Sequence, residues 1–295
     1  MDLLRTPDEC FQNLPGYPWQ PNYLEVDGVR IHYIDEGPED GPAVLLLHGE
    51  PTWSYLYRKM IPVFTAAGCR VFAPDLVGFG RSDKPAAIAD YSYQKMVDWM
   101  LGWLQLVDPQ NVTLFCQDWG SLIGLRLVAA EPERFGRVVL GNGGLPTGDQ
   151  KMPIVFKAWQ KFAAHSPIFP IGGLLQVSTQ TKIPKDVIKG YLAPFPHKRF
   201  MAGARALPGL VPTQPDDPAS AANREAWKVL SAFEKPFHTA FSDGDPITRG
   251  MDRGMRKRIP GAQAVAHTVI KGAGHFLQED KGEEIAQFML AQMQA

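Results

Sequence analysis

Short runs of apolar, often β-branched residues alternate along the chain with longer segments whose apolar positions recur at helical spacing. The short runs predict buried strands at residues 43–48, 70–75, 112–117, 137–142, 236–242 and 266–271. The longer segments predict helices at residues 92–107, 119–130 and 283–293. This alternation is typical of an α/β protein with a mostly parallel central sheet that helices cover on both faces.

The start of the chain carries a different pattern. Residues 23–26 and 30–34 are short apolar runs on either side of Asp27-Gly28. Because an Asp-Gly pair favours the tight turn of a hairpin, we expect two antiparallel strands here. They would lead into the parallel part of the sheet.

A long segment in the middle also breaks the alternation. Residues from about 145 to 218 are rich in Pro, Phe and Gly, have segments of helical length and contain no clear buried strand. We therefore predict a main domain at residues 1–146 and 216–295 and an inserted helical cap at residues 147–215. The proline-rich stretch that begins at Pro215 is a suitable hinge back to the main domain.

Composition narrows the class of partner. The 295 residues are 45% hydrophobic and 21% charged, with a formal net charge of -1, as expected of a soluble globular protein without a basic face for nucleic acid or membrane lipid. The N-terminus has no signal-peptide pattern, so we expect a cytoplasmic protein, and a monomer. Three cysteines without metal-site spacing indicate neither a disulfide framework nor a bound metal, and no cofactor is expected. The expected partner is a small, uncharged molecule.

The predicted strand at residues 112–117 runs directly into a helix at Cys116-Gln117-Asp118-Trp119-Gly120. Small residues on both sides of a strained central residue are typical of a nucleophile elbow, which in serine hydrolases holds Ser. Asp118 stands in that place, although taken alone it could be no more than a helix cap. An aspartate that displaces a leaving group from saturated carbon forms an ester, which water can cleave, whereas serine would form a stable ether. Asp118 therefore indicates attack on saturated carbon.

Two further residues complete a catalytic triad in the chain order of α/β hydrolases: nucleophile, acid, histidine. His275 follows the last predicted strand in a glycine-rich loop, where its imidazole can reach the carboxyl edge of the sheet. Asp245 follows the strand at residues 236–242 and is the candidate acid, with Asp243 as the nearer alternative. The remaining histidines are expected to have packing or surface roles: His32, His48, His165, His197, His238 and His267.

Four segments carry a family resemblance: HGEPTWSYLYRKMIP at 48–62, GFGRSDKP at 78–85, QDWG at 117–120 and AGHF at 273–276. They resemble the haloalkane dehalogenases, an α/β-hydrolase-fold family, over nearly the whole chain and least in the cap. The subfamily that they resemble most has its triad acid between the late strand and the histidine. The expected reaction converts a haloalkane and water into a primary alcohol, a halide and a proton.

The resemblance implies a role for each site residue. Asp118 would be the nucleophile, His275 the general base and Asp245 the residue that orients the imidazole, with the backbone N–H groups of Glu50 and Trp119 as the oxyanion hole. Trp119 and Trp159 would bind the halide, for which indole N–H groups suit because they donate without losing a proton. By similarity to family cap positions, four residues would line an apolar pocket: Phe156, Phe162, Leu207 and Pro208.

Other families with this fold make different demands. Epoxide hydrolases also use an aspartate but need acids that protonate an alkoxide, usually a pair of cap tyrosines, and between residues 145 and 218 the only tyrosine is Tyr191. Fluoroacetate dehalogenases have an arginine where this chain has Trp119. Non-catalytic receptors with this fold usually lack a triad member, whereas all three residues are present here. The sequence leaves the preferred alkyl group open.

Overall fold

The computed structural model describes residues 1–150 and 152–294. Lys151 of the predicted cap and Ala295 of the predicted main domain lie outside the described residues. The strands of the described residues are β1 (Leu3–Leu4), β2 (Asn22–Val26), β3 (Val29–Glu36), β4 (Ala43–Leu47), β5 (Arg70–Pro74), β6 (Lys84–Pro85), β7 (Val112–Cys116), β8 (Phe135–Gly141), β9 (Phe237–Ser242) and β10 (Thr268–Ile270).

The strands form one large, mostly parallel sheet. Eight of them lie in the order β10-β9-β8-β7-β4-β5-β3-β2, while β1 and β6 form a separate antiparallel pair. Antiparallel pairing is confined in the large sheet to β2 with β3 and β3 with β5. The hairpin turn has positive φ at Asp27 and Gly28, as the sequence pattern predicts.

Helices cover both faces of this sheet and supply the cap. They are α1 (Ile61–Ala66), α2 (Tyr93–Val107), α3 (Trp119–Ala130), α4 (Ile154–His165), α5 (Ile171–Val177), α6 (Lys185–Leu192), α7 (Ala202–Leu210), α8 (Ser220–Leu230), α9 (Met251–Arg258) and α10 (Leu277–Gln294). The α/β-hydrolase fold expected from the sequence is thereby confirmed. Two details differ: β10 is only three residues long, and α10 begins six residues before the predicted start, with a bend at Lys281.

The central strands are mostly buried, as in a parallel sheet that is covered on both faces. Every residue of β7 and every residue of β9 is buried. Such strands read as continuous apolar runs, which is why they are visible in the sequence. The carboxyl ends of β7, β8 and β9 lead into the loops that carry the candidate site, so the core fixes the position of that site.

Helices α4 to α7 lie within the predicted cap, and an ion-pair cluster joins them to the rest of the chain. Arg58 and Glu279 are both buried and 2.7 Å apart, and the Tyr191 hydroxyl on α6 donates to the Glu279 carboxylate at 2.5 Å. The domain bounds at residues 147 and 215 stay a prediction. The cluster shows how a buried charge pair fastens α6 to α10.

Removing one charge of this cluster is expected to destabilise the protein strongly. Glu279→Gln leaves Arg58 buried without its counter-charge, which typically costs about 3–5 kcal/mol of unfolding free energy. Urea unfolding followed by circular dichroism measures it. The control is Glu284→Gln, an exposed position on α10, expected to change stability by less than about 0.5 kcal/mol. Equal losses in the two variants would show that the cluster contributes nothing specific.

Candidate active site

Asp118 lies at a strained turn between β7 and α3. Its backbone has φ 50° and ψ -126°, a conformation that is costly for a residue with a side chain, and its side chain makes no capping hydrogen bond to α3. A Cβ at Gly120 would lie 1.9 Å from the Leu47 carbonyl oxygen, so only glycine fits there. The geometry is that of a nucleophile elbow, and it does not support the helix-cap alternative.

The Asp118 carboxylate has a partner on each oxygen. Oδ1 accepts a hydrogen bond from the backbone N–H of Glu50 at 2.7 Å, and Oδ2 lies 3.5 Å from Nε2 of His275. A Cβ at Gly49 would lie 2.3 Å from Oδ1, so the absence of a side chain at Gly49 permits this approach. The backbone N–H of Trp119, the first residue of α3, has no acceptor within the helix because of its terminal position.

His275 is held from behind by Asp245. The Nδ1 to Oδ2 distance is 2.9 Å, which places the proton on Nδ1 and turns Nε2 towards Asp118. Asp245 is buried and also accepts from the Ile247 backbone N–H at 2.8 Å and from the Thr248 hydroxyl. Burial alone would raise the pKa of Asp245, but the imidazole and these donors lower it to about 2.

The alternative acid, Asp243, lies outside this arrangement. It is exposed, and its Oδ1 accepts the backbone N–H of Gly272 at 2.9 Å. It therefore fixes the loop that follows β10 and does not contact His275. Of the two carboxylates considered for the triad, the structure brings only Asp245 to the imidazole.

The charges of two carboxylates act on His275. Burial disfavours the imidazolium, but Asp245 and Asp118 outweigh it and raise the pKa of His275 to about 10. The resting site therefore contains an imidazolium between two carboxylates. Any reaction that neutralises Asp118 removes part of this stabilisation and lowers the pKa of His275. The imidazolium then loses its proton to solvent more easily, and the neutral imidazole can act as a base.

The side chain of Glu50 was not anticipated from the sequence, which indicates a role only for its backbone. It is buried beside Asp118, and its Oε1 has no hydrogen-bond partner among the described residues. Burial, and then the nearby charge of Asp118, raise the pKa of Glu50 well above its usual range. Burial beside the nucleophile thus disfavours a second negative charge at Glu50.

A cavity of about 350 Å³ opens beside Asp118. Glu50 and Trp119 line it from the main domain, and Phe156, Trp159 and Pro208 line it from the predicted cap. Within the described ranges, neither the Trp119 nor the Trp159 indole N–H donates to a protein atom, whereas that of Trp227 donates to the Leu145 carbonyl at 2.8 Å. Two indole N–H groups, which donate hydrogen bonds without losing a proton, are therefore available to a ligand in the cavity.

Phe162 and Leu207, which the family resemblance also assigns to the pocket, are not among the described residues that line this cavity. Phe162 is 37% exposed and stacks on Trp159 with ring centroids 5.8 Å apart, so it supports that indole from outside. Leu207 is buried next to Pro208 on α7. Adjacent helical residues point about 100° apart, and here the cavity side of α7 is that of Pro208.

Buried amides that the sequence did not single out hold the histidine loop. The Gln117 amide lies 3.1 Å from Nε2 of His275 and donates to the His275 carbonyl at 3.2 Å. The Asn142 amide donates to the carbonyls of Gly274 and His275 at 2.9 and 3.0 Å. A polar residue at the carboxyl end of a buried strand is the signal that would have found both, since those ends meet at one edge of the sheet.

The loop that carries His275 is also fastened to the predicted cap. The Asp280 carboxylate accepts from the backbone N–H of Gly274 at 2.8 Å and from those of Gln180 and Thr181 at 2.9 and 2.8 Å. The contacts with Gln180 and Thr181 are long-range in sequence, and no local pattern reveals them. They make the position of the imidazole depend on the segment between α5 and α6.

The other histidines have the packing roles expected of them. His48 donates through Nδ1 to the Gly49 carbonyl and accepts the Leu76 backbone N–H at Nε2, at 3.0 and 2.9 Å, which fixes the turn beside Asp118. His32 is buried and lies 2.7 Å from Asp75. In the described ranges no group of three or more His, Cys, Asp and Glu side chains could hold a metal ion.

Comparison with known proteins agrees with the fold and the site. Residues 42–282 match the family described as alpha/beta hydrolase fold. The chain is 57% identical, over 98% of its own length and 97% of the relative's, to a haloalkane dehalogenase of Psychrobacter cryohalolentis. It is 53% identical to haloalkane dehalogenase 1 of Mycobacterium tuberculosis, with both chains covered completely.

Solved structures give the same result. The haloalkane dehalogenase DpaA from Paraglaciecola agarilytica superposes with a TM-score of 0.92 at 36% identity and covers 99% of this chain and 98% of its own. DbeA from Bradyrhizobium elkani shares the fold, with a TM-score of 0.79 at 22% identity, over 92% of this chain and 98% of its own. The chain is thus an α/β hydrolase. Within that class it belongs to the haloalkane dehalogenases, as the sequence motifs indicate.

Two other expectations receive less support. The DpaA structure is described as tetrameric, so the comparison does not favour the monomer expected here, and the oligomeric state stays a prediction. Within the part of the chain that the structure describes, no helix combines the length and apolar character needed to cross a membrane. The cytoplasmic location also stays a prediction.

Proposed function

We propose that this haloalkane dehalogenase uses Asp118 as a covalent nucleophile and His275 as the base that releases the product. The observation that carries the proposal is the elbow: the Asp118 carboxylate lies 3.5 Å from Nε2 of His275 at a cavity with two unpaired indole donors. The substrate is a haloalkane small enough for about 350 Å³. The products are a primary alcohol, a halide ion and a proton.

The first step is a displacement at saturated carbon. An oxygen of Asp118 attacks the carbon that bears the halogen, the carbon–halogen bond breaks, and its electron pair leaves with the halide. The halide gains a full negative charge in the cavity, where Trp119 and Trp159 can donate from their indole nitrogens. By analogy with an oxyanion-hole donor, each is worth about 2.7–4 kcal/mol in a site that excludes water.

The second step hydrolyses the ester. Alkylation removes the charge of Asp118, which lowers the pKa of His275 from about 10 and lets the imidazole lose its proton. His275 then takes a proton from water, and the hydroxide attacks the ester carbonyl carbon. The oxyanion is stabilised by the backbone N–H groups of Glu50 and Trp119, the first of which already binds Oδ1 at 2.7 Å.

Collapse of the tetrahedral intermediate restores the enzyme. The alkoxide leaves and takes the proton held by His275, which gives the alcohol. The side chain of Asp118 is then a protonated carboxylic acid. His275 takes that proton and keeps it, which restores the imidazolium of the resting site. The one proton that reaches solvent is the one that His275 lost after alkylation, so that one haloalkane and one water give one alcohol, one halide and one proton. Asp245 stabilises the imidazolium through the 2.9 Å contact to Nδ1 at each of these points.

Hydrolysis of epoxides is not favoured by this cavity. It would require acids that protonate an alkoxide, and no tyrosine is among the described residues that line the cavity. Tyr191 donates instead to Glu279 at 2.5 Å and belongs to the ion-pair cluster with Arg58. A halide needs only donors that keep their protons, which the two indoles provide.

A screen for halide release tests this function. Chloro-, bromo- and iodoalkanes of increasing chain length are supplied in weak buffer, with styrene oxide as an epoxide control. The expected result is stoichiometric release of halide and acid from bromoalkanes and no formation of the diol from styrene oxide. Absence of halide release from the whole panel would contradict the proposal.

Trp159→Phe is expected to weaken bromide binding about tenfold, because one hydrogen bond to a charged group is lost, worth about 1.5 kcal/mol. The measurement is quenching of tryptophan fluorescence by bromide. Trp19→Phe, a partly buried indole outside the cavity lining, is the matched control and should bind bromide as the wild type does. Unchanged affinity in the Trp159 variant would place the second halide donor elsewhere.

A further inference from the structure

The rim of the cavity is strongly basic, and the reaction proposed above does not use this charge. Residues 249–258 contain the five basic residues Arg249, Arg253, Arg256, Lys257 and Arg258 and the single acid Asp252, although the chain as a whole has a net charge of -1. Two of these side chains, Arg249 and Arg258, line the cavity. The cationic segment comprises helix α9 and the turn before it.

Arg258 is placed to bind an anion. Its guanidinium lies 3.7 Å from the ring centroid of Trp227, another lining residue, which the Leu145 carbonyl holds through the indole N–H. Stacking occupies the face of the guanidinium and leaves its N–H edge available for a bidentate contact. Among the described residues no carboxylate lies within ion-pair distance of Arg258. The single acid of the segment, Asp252, pairs with Arg256 at 2.7 Å.

The lining of the cavity therefore carries charges of both signs. The acids among the described lining residues are Glu50 and Asp118, which meet at the nucleophile. Arg249 precedes α9 and donates to the Asp243 carbonyl at 2.6 Å, whereas Arg258 is the last residue of α9 and has no carboxylate partner among the described residues. A bound molecule with an anionic end would be repelled by Asp118 and attracted by these arginines, and its opposite end would be directed towards the nucleophile.

We propose that Arg258 is a carboxylate subsite that favours haloalkanes carrying an anionic group at the end remote from the halogen. The inference rests on the proposed function, because it assigns the substrate class of the same cavity. Medium-chain ω-haloalkanoates are the chemical class that fits, with the halogen at Asp118 and the carboxylate at the rim.

Two substrates of equal length test this subsite: ω-bromohexanoate and ω-bromohexanol. Arg258→Gln is expected to lower kcat/KM for the carboxylate about fivefold, the upper range for an exposed ion pair, through KM with kcat unchanged. For the alcohol the change should stay below about twofold, since that end carries no charge. Arg253→Gln, on the same helix but outside the cavity lining, is the matched control and should leave both substrates unaffected.

A binding measurement keeps this test separate from catalysis. Hexanoate should bind the wild-type protein more tightly than hexanol, as followed by tryptophan fluorescence, and Arg258→Gln should remove the difference. If neither substrate released halide, the proposed function would be contradicted. The binding of hexanoate would still test the subsite in that case. Equal effects of Arg258→Gln on carboxylate and alcohol, or an equal effect of Arg253→Gln, would overturn the subsite.

Discussion

His275→Gln is expected to stop the enzyme after its first half-reaction and leave an alkyl ester on Asp118. The attacking carboxylate is intact in this variant, and the displacement of the halide needs no base. Hydrolysis of the ester does need one, because water must lose a proton as it attacks, and general base catalysis contributes about 10²–10⁴-fold. The ester should therefore persist throughout the assay, and halide release should stop after a single turnover.

Mass spectrometry of the intact variant after exposure to ethylene dibromide measures this result. The predicted spectrum shows the addition of one bromoethyl group, which peptide mapping assigns to Asp118. The control is the double variant with Asp118→Asn, which should keep its original mass. A folded His275→Gln variant that remains unmodified would contradict the two-step scheme.

Asp245→Asn is expected to lower steady-state activity by about 10⁴-fold, by analogy with the same change in a serine-protease triad. An amide at position 245 removes the charge that stabilises the imidazolium and can present the wrong hydrogen-bonding atom to Nδ1. The pKa of His275, about 10 in the intact site, should fall because its first stabilising charge is gone. Steady-state halide release with bromohexane measures the loss.

The chain provides a matched control for this change two residues away. Asp243→Asn alters an exposed carboxylate that contacts the Gly272 backbone N–H and not His275, so activity should change by less than about threefold, within the small effects typical of surface positions. A larger loss in Asp243→Asn than in Asp245→Asn would show that the wrong acid has been assigned to the triad.

The central sheet and the meeting of Asp118, Asp245 and His275 were predictable because their signals are local. β7 is a nearly continuous apolar run, and Asp118 stands between small residues just after its end. His275 follows the last strand in a glycine-rich loop. The start of α10 was less visible, because its first turns contain a run of charged residues before the bend at Lys281.

The cap was harder because its side-chain directions depend on helical phase and on packing against distant residues. Trp159 and Phe162 both lie on α4, yet only Trp159 lines the cavity among the described residues, while Phe162 stacks behind it. The raised pKa of Glu50 depends on burial and on the charge of Asp118, neither of which a sequence displays. The Asp280 contacts join segments about a hundred residues apart in the chain, and only folding brings them together.

The covalent role of Asp118 is the central claim, and the fate of the water oxygen in one turnover tests it most directly. Enzyme in excess over a bromoalkane is allowed one turnover in water enriched in the heavy oxygen isotope. Attack by Asp118 predicts an alcohol with ordinary oxygen, taken from the carboxylate, and incorporation of the heavy isotope into the peptide that contains Asp118. Heavy oxygen in the alcohol and none in Asp118 would show that water displaces the halide directly, which contradicts this account.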